Sequence, residues 1–155
     1  KGQNAVLSAL GIKLTNPKNP FSALASPPDF TSKSAKILVD AMQKNDVKRL
    51  LAVSAAGVGD SAAGLNFMMK LIISRTKIGV MYKDLNEMEK IYAASGLDFC
   101  CVRPTGLTDG PQTSQAKVIG NFPFSAKISR ADVASWMLEH LVGDLSANRF
   151  PNISS

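Results

Sequence analysis

Apolar residues gather in three short, nearly unbroken runs: residues 4–10 (NAVLSAL), 48–55 (KRLLAVSA) and 97–103 (LDFCCVR). Unbroken apolarity over this length is the pattern of strands covered on both faces of a parallel sheet. Between and after the runs the apolar spacing changes to threes and fours. Residues 31–45 place Ala35, Leu38, Val39 and Met42 on one side of a helix, with Thr31 or Ser32 positioned to cap its start. Residues 84–95 do the same with Leu85, Met88, Ile91 and Tyr92, with Asp84 as the N-cap and Gly96 as the stop. A third helix opens at Ser129, three residues before Asp132 and close to a capping box. It presents Val133, Met137, Leu138 and Leu141 inward and ends at Gly143, while Trp136 and His140 share another stripe. Residues 66–77 (NFMMKLIISRTK) are also helical in pattern.

Strand–helix alternation of this kind predicts an α/β fold, a doubly wound parallel sheet with helices on both faces. Two connections are long and rich in turn residues, 11–30 and 104–117. In open parallel sheets, ligands bind among the loops that follow the carboxyl ends of the strands.

The glycine-rich stretch 52–64 (AVSAAGVGDSAAG) lies at such an end. Gly59 and Gly64 have the spacing of a Walker loop, but Leu65 and Asn66 stand where lysine and a hydroxyl residue are required. Gly57, Gly59 and Ala62 approximate a dinucleotide fingerprint, but no second strand ending in an acidic residue follows about 20 residues on. The stretch is therefore expected to be a strand ending at Ser54, followed by a flexible loop. Ser54 faces the crevice on this reading and donates to a substrate carbonyl or a cofactor amide; the alternative is a serine that satisfies nearby backbone.

The chain has 155 residues, 45% hydrophobic and 19% charged, which suits one domain with a real core. The longest apolar stretch, 65–73, is broken by Lys70 and falls short of the ~20 residues of a membrane span. Cys100 and Cys101 are adjacent and point to opposite faces of a strand, so no disulfide joins them, and a reduced, cytoplasmic setting is expected. One histidine and no Cys-x-x-Cys give no metal set. The net charge of +6 is spread along the chain. It fits a solvated surface or an anionic ligand; without aromatic–basic interleaving, nucleic acid is not indicated. Arg103, at the end of a strand, is expected to pair with a cofactor phosphate or with an acid such as Asp109.

Four segments in fixed order, 5–11 (AVLSALG), 47–59 (VKRLLAVSAAGVG), 88–111 (MEKIYAASGLDFCCVRPTGLTDGP) and 128–141 (ISRADVASWMLEHL), resemble the later part of an atypical short-chain dehydrogenase/reductase. The resemblance is to the NAD(P)H-binding group that includes biliverdin reductase B, also called flavin reductase. It implies a Rossmann fold that binds NADP(H) in preference to NAD(H). It further implies that Ser8, Ala9, Leu10 and Gly11 pass the cofactor's ribose side. Ser54 and Ala55 would lie near the nicotinamide, and Pro104, Thr105, Gly106 and Leu107 would hold its face.

The family's glycine-rich first half, with its G-x-x-G-x-x-G loop, has no counterpart here. Since residue 1 is Lys, the expectation is that residues 1–155 are the C-terminal part of a single NAD(P)-binding Rossmann domain. The Tyr-x-x-x-Lys pair of typical members is also missing: its places fall at Met81 and Leu85, and Tyr82 is followed four residues on by Asn86. The histidine that this branch carries appears as Gly106. Two functions are consistent with this pattern. One is an NADPH-dependent reductase of a planar apolar acceptor such as a flavin or quinone, with Met68 and Met69 in the pocket wall. The other is a redox sensor that binds NADP without turnover.

Overall fold

The structure, a computed structural model, describes residues 2–123 and 125–155. Its elements, in order, are β1 (Ala5–Ser8), α1 (Phe30–Lys44), β2 (Arg49–Val53), a 3-10 helix (Gly59–Gly64), α2 (Phe67–Arg75), α3 (Ile78–Ala94), β3 (Asp98–Pro104), β4 (Gly106–Thr108), β5 (Lys117–Val118), β6 (Lys127–Ser129), α4 (Arg130–Glu139) and β7 (Asn152–Ser154). A five-stranded sheet runs β1-β2-β3-β7-β5, parallel except for β5, and β4 pairs with β6 in a small parallel ribbon. The expected α/β fold with a mostly parallel sheet is the one found.

The three apolar runs form the three adjacent parallel strands β1, β2 and β3, with Leu7 opposite Leu51 and Leu51 opposite Cys100. Both faces of β2 and β3 are covered, which is why alternation is absent from their sequence. Leu50, Ala52, Phe99 and Cys101 meet Ala35, Val39 and Met42 of α1 and Met88 and Tyr92 of α3 on one side. Leu51, Cys100 and Val102 meet Val133, Trp136 and Met137 of α4 on the other. The adjacent cysteines thus enter different cores as free thiols. Burial pushes the Cys100 thiol up to about 12 and Cys101 well above its usual value.

Helix boundaries depart from expectation where a side chain serves a distant element. α3 begins at Ile78, so Asp84 lies inside it and is not its N-cap. The Asp84 carboxylate is turned inward to accept the N–H groups of Thr31 (2.7 Å) and Ser32 (3.2 Å) and the Thr31 hydroxyl. Those N–H groups belong to the first turn of α1, where they have no partner within the helix. Asp84 therefore caps α1, and neither Thr31 nor Ser32 does. Asn66 caps α2, accepting from Met69 N–H at 2.9 Å, and Ser129 caps α4 as expected, accepting from Asp132 N–H at 2.9 Å. Gly96 ends α3 with φ +73°. α4 ends at Glu139 rather than at Gly143, and Leu138 is 60% exposed instead of inward.

Candidate functional site

Beyond β2 the chain stays paired with its neighbour: Ser54 N–H donates to Val102 O (2.7 Å) and Ala56 N–H to Pro104 O (3.0 Å). Residues 54–56 and 104–107 therefore run side by side past the carboxyl end of the sheet. With α2 and α3 they enclose a cleft of about 480 Å³. One wall is Ser54, Ala55, Pro104, Thr105, Gly106 and Leu107; the opposite wall is Met69, Ile78, Met81 and Tyr82. Leu14, Pro17 and Phe122 reach it from distant loops. Met69 takes part as expected, whereas Met68 is exposed and outside the lining. Among the described residues, no lining side chain is Asp, Glu, Lys, Arg or His.

Ser54 is 5% exposed, and its Oγ has no hydrogen-bond partner among the described residues. A buried hydroxyl without a partner is uncommon and costs stability. Placed on the wall of an apolar cleft, it is available to the carboxamide or carbonyl oxygen of a ligand, so the residues present fit a nicotinamide-type group. The Thr105 hydroxyl, by contrast, is used on Ser154 Oγ at 3.1 Å. Ser8 is buried, while Ala9, Leu10 and Gly11 are exposed at the carboxyl end of β1, and none of the four lines the cleft.

The sequence did not single out Tyr82 as a cleft residue. Its hydroxyl donates to Ala56 O at 3.1 Å, and burial raises its pKa. Met81 occupies the cleft and Leu85 packs against the core, so the Tyr-x-x-x-Lys positions hold apolar groups.

The glycines of residues 57–64 are explained by packing. Gly57 has φ +94° and Gly59 φ +59°. A Cβ on Gly57 would lie 2.7 Å from Leu65 Cδ2, and one on Gly59 2.8 Å from Arg103 Nη2. The segment is a short 3-10 helix and not a loose loop: Ser61 Oγ accepts Gly57 N–H (2.9 Å) and donates to Val58 O (2.7 Å).

Beneath it lies Arg103, fully buried on β3. It forms a two-pronged pair with Glu89 (2.9 and 2.7 Å), bonds Asp60 (2.7 Å) and stacks 4.8 Å from the centroid of Phe150. Arg103 holds the Asp60 carboxyl below its usual range. Asp109, the neighbour expected for Arg103, pairs with Arg130 instead.

On the far side, buried Asp132 accepts from Thr113 N–H, Thr113 Oγ1 and Ser114 N–H at 2.7, 2.8 and 2.9 Å, tying the loop after β4 to α4. Burial raises the Asp132 pKa, but these bonds more than offset it and leave the carboxyl below its usual value. His140 stacks on Trp136 with ring centroids 3.8 Å apart, away from the cleft. Among the described residues no group of three or more His, Cys, Asp or Glu is arranged for a metal, and no helix is long and apolar enough to cross a membrane.

Among curated proteins, none matches the chain by sequence. Solved structures do. ChuY from Escherichia coli CFT073 is 26% identical at a TM-score of 0.68, over 79% of this chain and 64% of that one. ChuY from E. coli O157:H7, described as an anaerobilin reductase, is 25% identical at 0.69, over 97% and 63%. A short-chain dehydrogenase/reductase from Veillonella parvula, solved with NADP, shares the fold at a TM-score of 0.71 and 16% identity, over 99% and 64%. The chain thus spans less than two thirds of the length of these proteins. The profile of a family described as NAD(P)H-binding matches residues 1–143, from β1 through α4. By that match, and by a mostly parallel sheet of the kind its structural neighbours share, the chain belongs to the NAD(P)H-binding family.

Proposed function

We propose that this chain forms the acceptor side of an NADPH-dependent reductase of planar, conjugated, largely apolar molecules of the flavin, quinone or bilin kind. Residues 1–155 are, on this reading, the C-terminal part of one Rossmann domain. The observation that supports it best is the cleft itself: among the described residues its lining is uncharged, and Ser54 Oγ, a buried hydroxyl without a partner, stands beside the carboxyl ends of β2 and β3. The similarity to an anaerobilin reductase points the same way. The preference for NADPH over NADH comes from the family resemblance.

A bound nicotinamide supplies hydride. Ser54 orients the ring or the acceptor through its free O–H; Ala55, Pro104, Gly106 and Leu107 present a flat apolar wall; Met69, Ile78 and Met81 exclude water on the other side. Ser8, Ala9, Leu10 and Gly11 flank the ribose side at the end of β1. No Tyr–Lys relay is available, so the accompanying proton comes from solvent, which suits acceptors whose reduction needs mainly proximity.

A second reading, an NADP-binding sensor without turnover, is favoured by Tyr82, whose hydroxyl is committed to Ala56 O. NADPH oxidation in the presence of riboflavin or a naphthoquinone separates the two. Turnover supports the reductase, binding without turnover supports the sensor, and absence of NADPH binding overturns both.

A further inference from the structure

Large apolar side chains face solvent along one side of α2. Phe67 is 79% exposed, and Met68 and Leu71 join it on one stripe, with Arg75 at the stripe's end and Lys70 beside it. The loop 11–28 brings another aromatic to the same place. Pro20 O accepts the N–H of Lys77, just past the C-terminal end of α2, at 3.1 Å. Phe21, next in sequence and 68% exposed, therefore stands beside that end. Leu14 and Pro17 of this loop and Met69 of α2 line the cleft, so the same face is the cleft's outer wall.

The charge of this face is of one sign. Residues 11–28 and 61–83 carry Lys13, Lys18, Lys70, Arg75, Lys77 and Lys83, six of the chain's 18 cations, and none of its 12 acids. None of the six is in an ion pair among the described residues. The acids that border the two segments are engaged elsewhere: Asp29 pairs with Lys33, Asp60 with Arg103, and Asp84 is buried against the first turn of α1. Cations interleaved with protruding phenylalanine, methionine and leucine are costly against water alone, because the charges repel and the apolar area stays wet. The complement of such a face offers anions with an apolar layer directly beneath them. Anionic headgroups over acyl chains do so; an acidic protein surface offers the anions without the layer.

We propose that α2 and the tip of the 11–28 loop form a peripheral docking surface for an anionic membrane. Phe21, Phe67, Met68 and Leu71 enter the boundary between headgroups and acyl chains, and Lys70, Arg75 and Lys77 pair with lipid phosphates above it. α2, nine residues long, lies along the interface and does not span it. Docking is read by binding alone, without cofactor or turnover, so it and the reductase reading can fail separately.

The test is co-sedimentation of the intact protein with vesicles of phosphatidylcholine alone and with vesicles containing about one third phosphatidylglycerol. Binding is expected to the anionic vesicles and is expected to weaken as salt rises. Lys70→Gln/Arg75→Gln/Lys77→Gln is expected to lower the partition coefficient about fivefold per cation removed. Phe21→Ser/Phe67→Ser is expected to lower it about tenfold at unchanged charge. Lys36→Gln/Lys44→Gln/Lys117→Gln, which removes as much charge from exposed positions elsewhere, is expected to leave it within about twofold. Melting curves check that each variant is folded. Lack of binding to the anionic vesicles overturns the proposal, as does binding that survives the first triple substitution or falls equally with the second. Loss with the cation set but not with the phenylalanine pair also overturns it, because charge alone then accounts for the adsorption. Binding to free polyglutamate but not to vesicles overturns it in favour of an acidic protein partner.

Discussion

Asp84, seven residues into α3, caps the N-terminus of α1 by accepting the N–H of Thr31 at 2.7 Å. The same carboxylate accepts the Ser32 N–H and the Thr31 hydroxyl, so one buried side chain fixes how the two helices lie on the sheet. Removing it strands buried donors. Asp84→Ala is expected to destabilise the protein by about 2–3 kcal/mol, and Asp84→Asn, which keeps one acceptor, by about 1 kcal/mol. Urea unfolding midpoints check both values.

Arg103 is coupled unequally to its two acids. Glu89 is as buried as Arg103, whereas the Asp60 side chain is 85% exposed. Arg103→Met leaves the Glu89 carboxylate buried without its cation and is expected to cost about 3–5 kcal/mol. Asp60→Asn is expected to cost less than about 1 kcal/mol, because water screens that pair. A double-mutant cycle on Arg103 with each acid measures the asymmetry.

Ser54→Ala separates a ligand contact from a fold contact. Since Ser54 Oγ has no protein partner, the substitution is expected to leave stability within about 0.5 kcal/mol of the parent or raise it slightly. If Ser54 bonds cofactor or acceptor, the affinity for that ligand falls about three- to tenfold, the worth of one hydrogen bond. Calorimetric titration with NADPH together with a melting curve reads both outcomes.

The carboxyls of Asp60 and Asp132 are held below their usual 3.8. Depressed carboxylates contribute stability that is complete above the unfolded value and is lost as pH falls through the folded one. Melting temperature is therefore expected to stay level on the neutral side of that value and to drop below it. Asp132→Asn should flatten the acid limb, as seen by calorimetry across the acid range.

With Cys100 at about 12 and Cys101 well above its usual value, thiolate is scarce at neutral pH. Neither thiol is expected to react with iodoacetamide at pH ~8 until the protein is unfolded. Mass spectrometry of the alkylated protein with and without denaturant reads this directly.

The strands were legible because a strand covered on both faces is apolar at successive positions, as residues 50–53 and 99–102 are. Ser54 was legible by its place at a strand's end. Asp84 was not: within its own segment an aspartate before an apolar period signals a helix start, and only the packing of α1 on α3 shows which helix it caps. Gly57 and Gly59 misled in a similar way. Their need for space comes from Leu65 and Arg103, one following in sequence and one from another strand. The outer wall of the cleft was equally hidden, since Leu14, Tyr82 and Phe122 meet only in three dimensions.

Of the helices, α2 alone contributes no buried residue, and Phe67, Met68 and Leu71 of its surface face solvent. Little apolar burial anchors it, so it can lift from α3 at a cost well below that of unfolding the sheet. The helical wall of the cleft is thus the least anchored by burial of the described helices. On the proposed reductase reading, a wall anchored this lightly would let the cleft take acceptors of different girth without rebuilding its rigid floor.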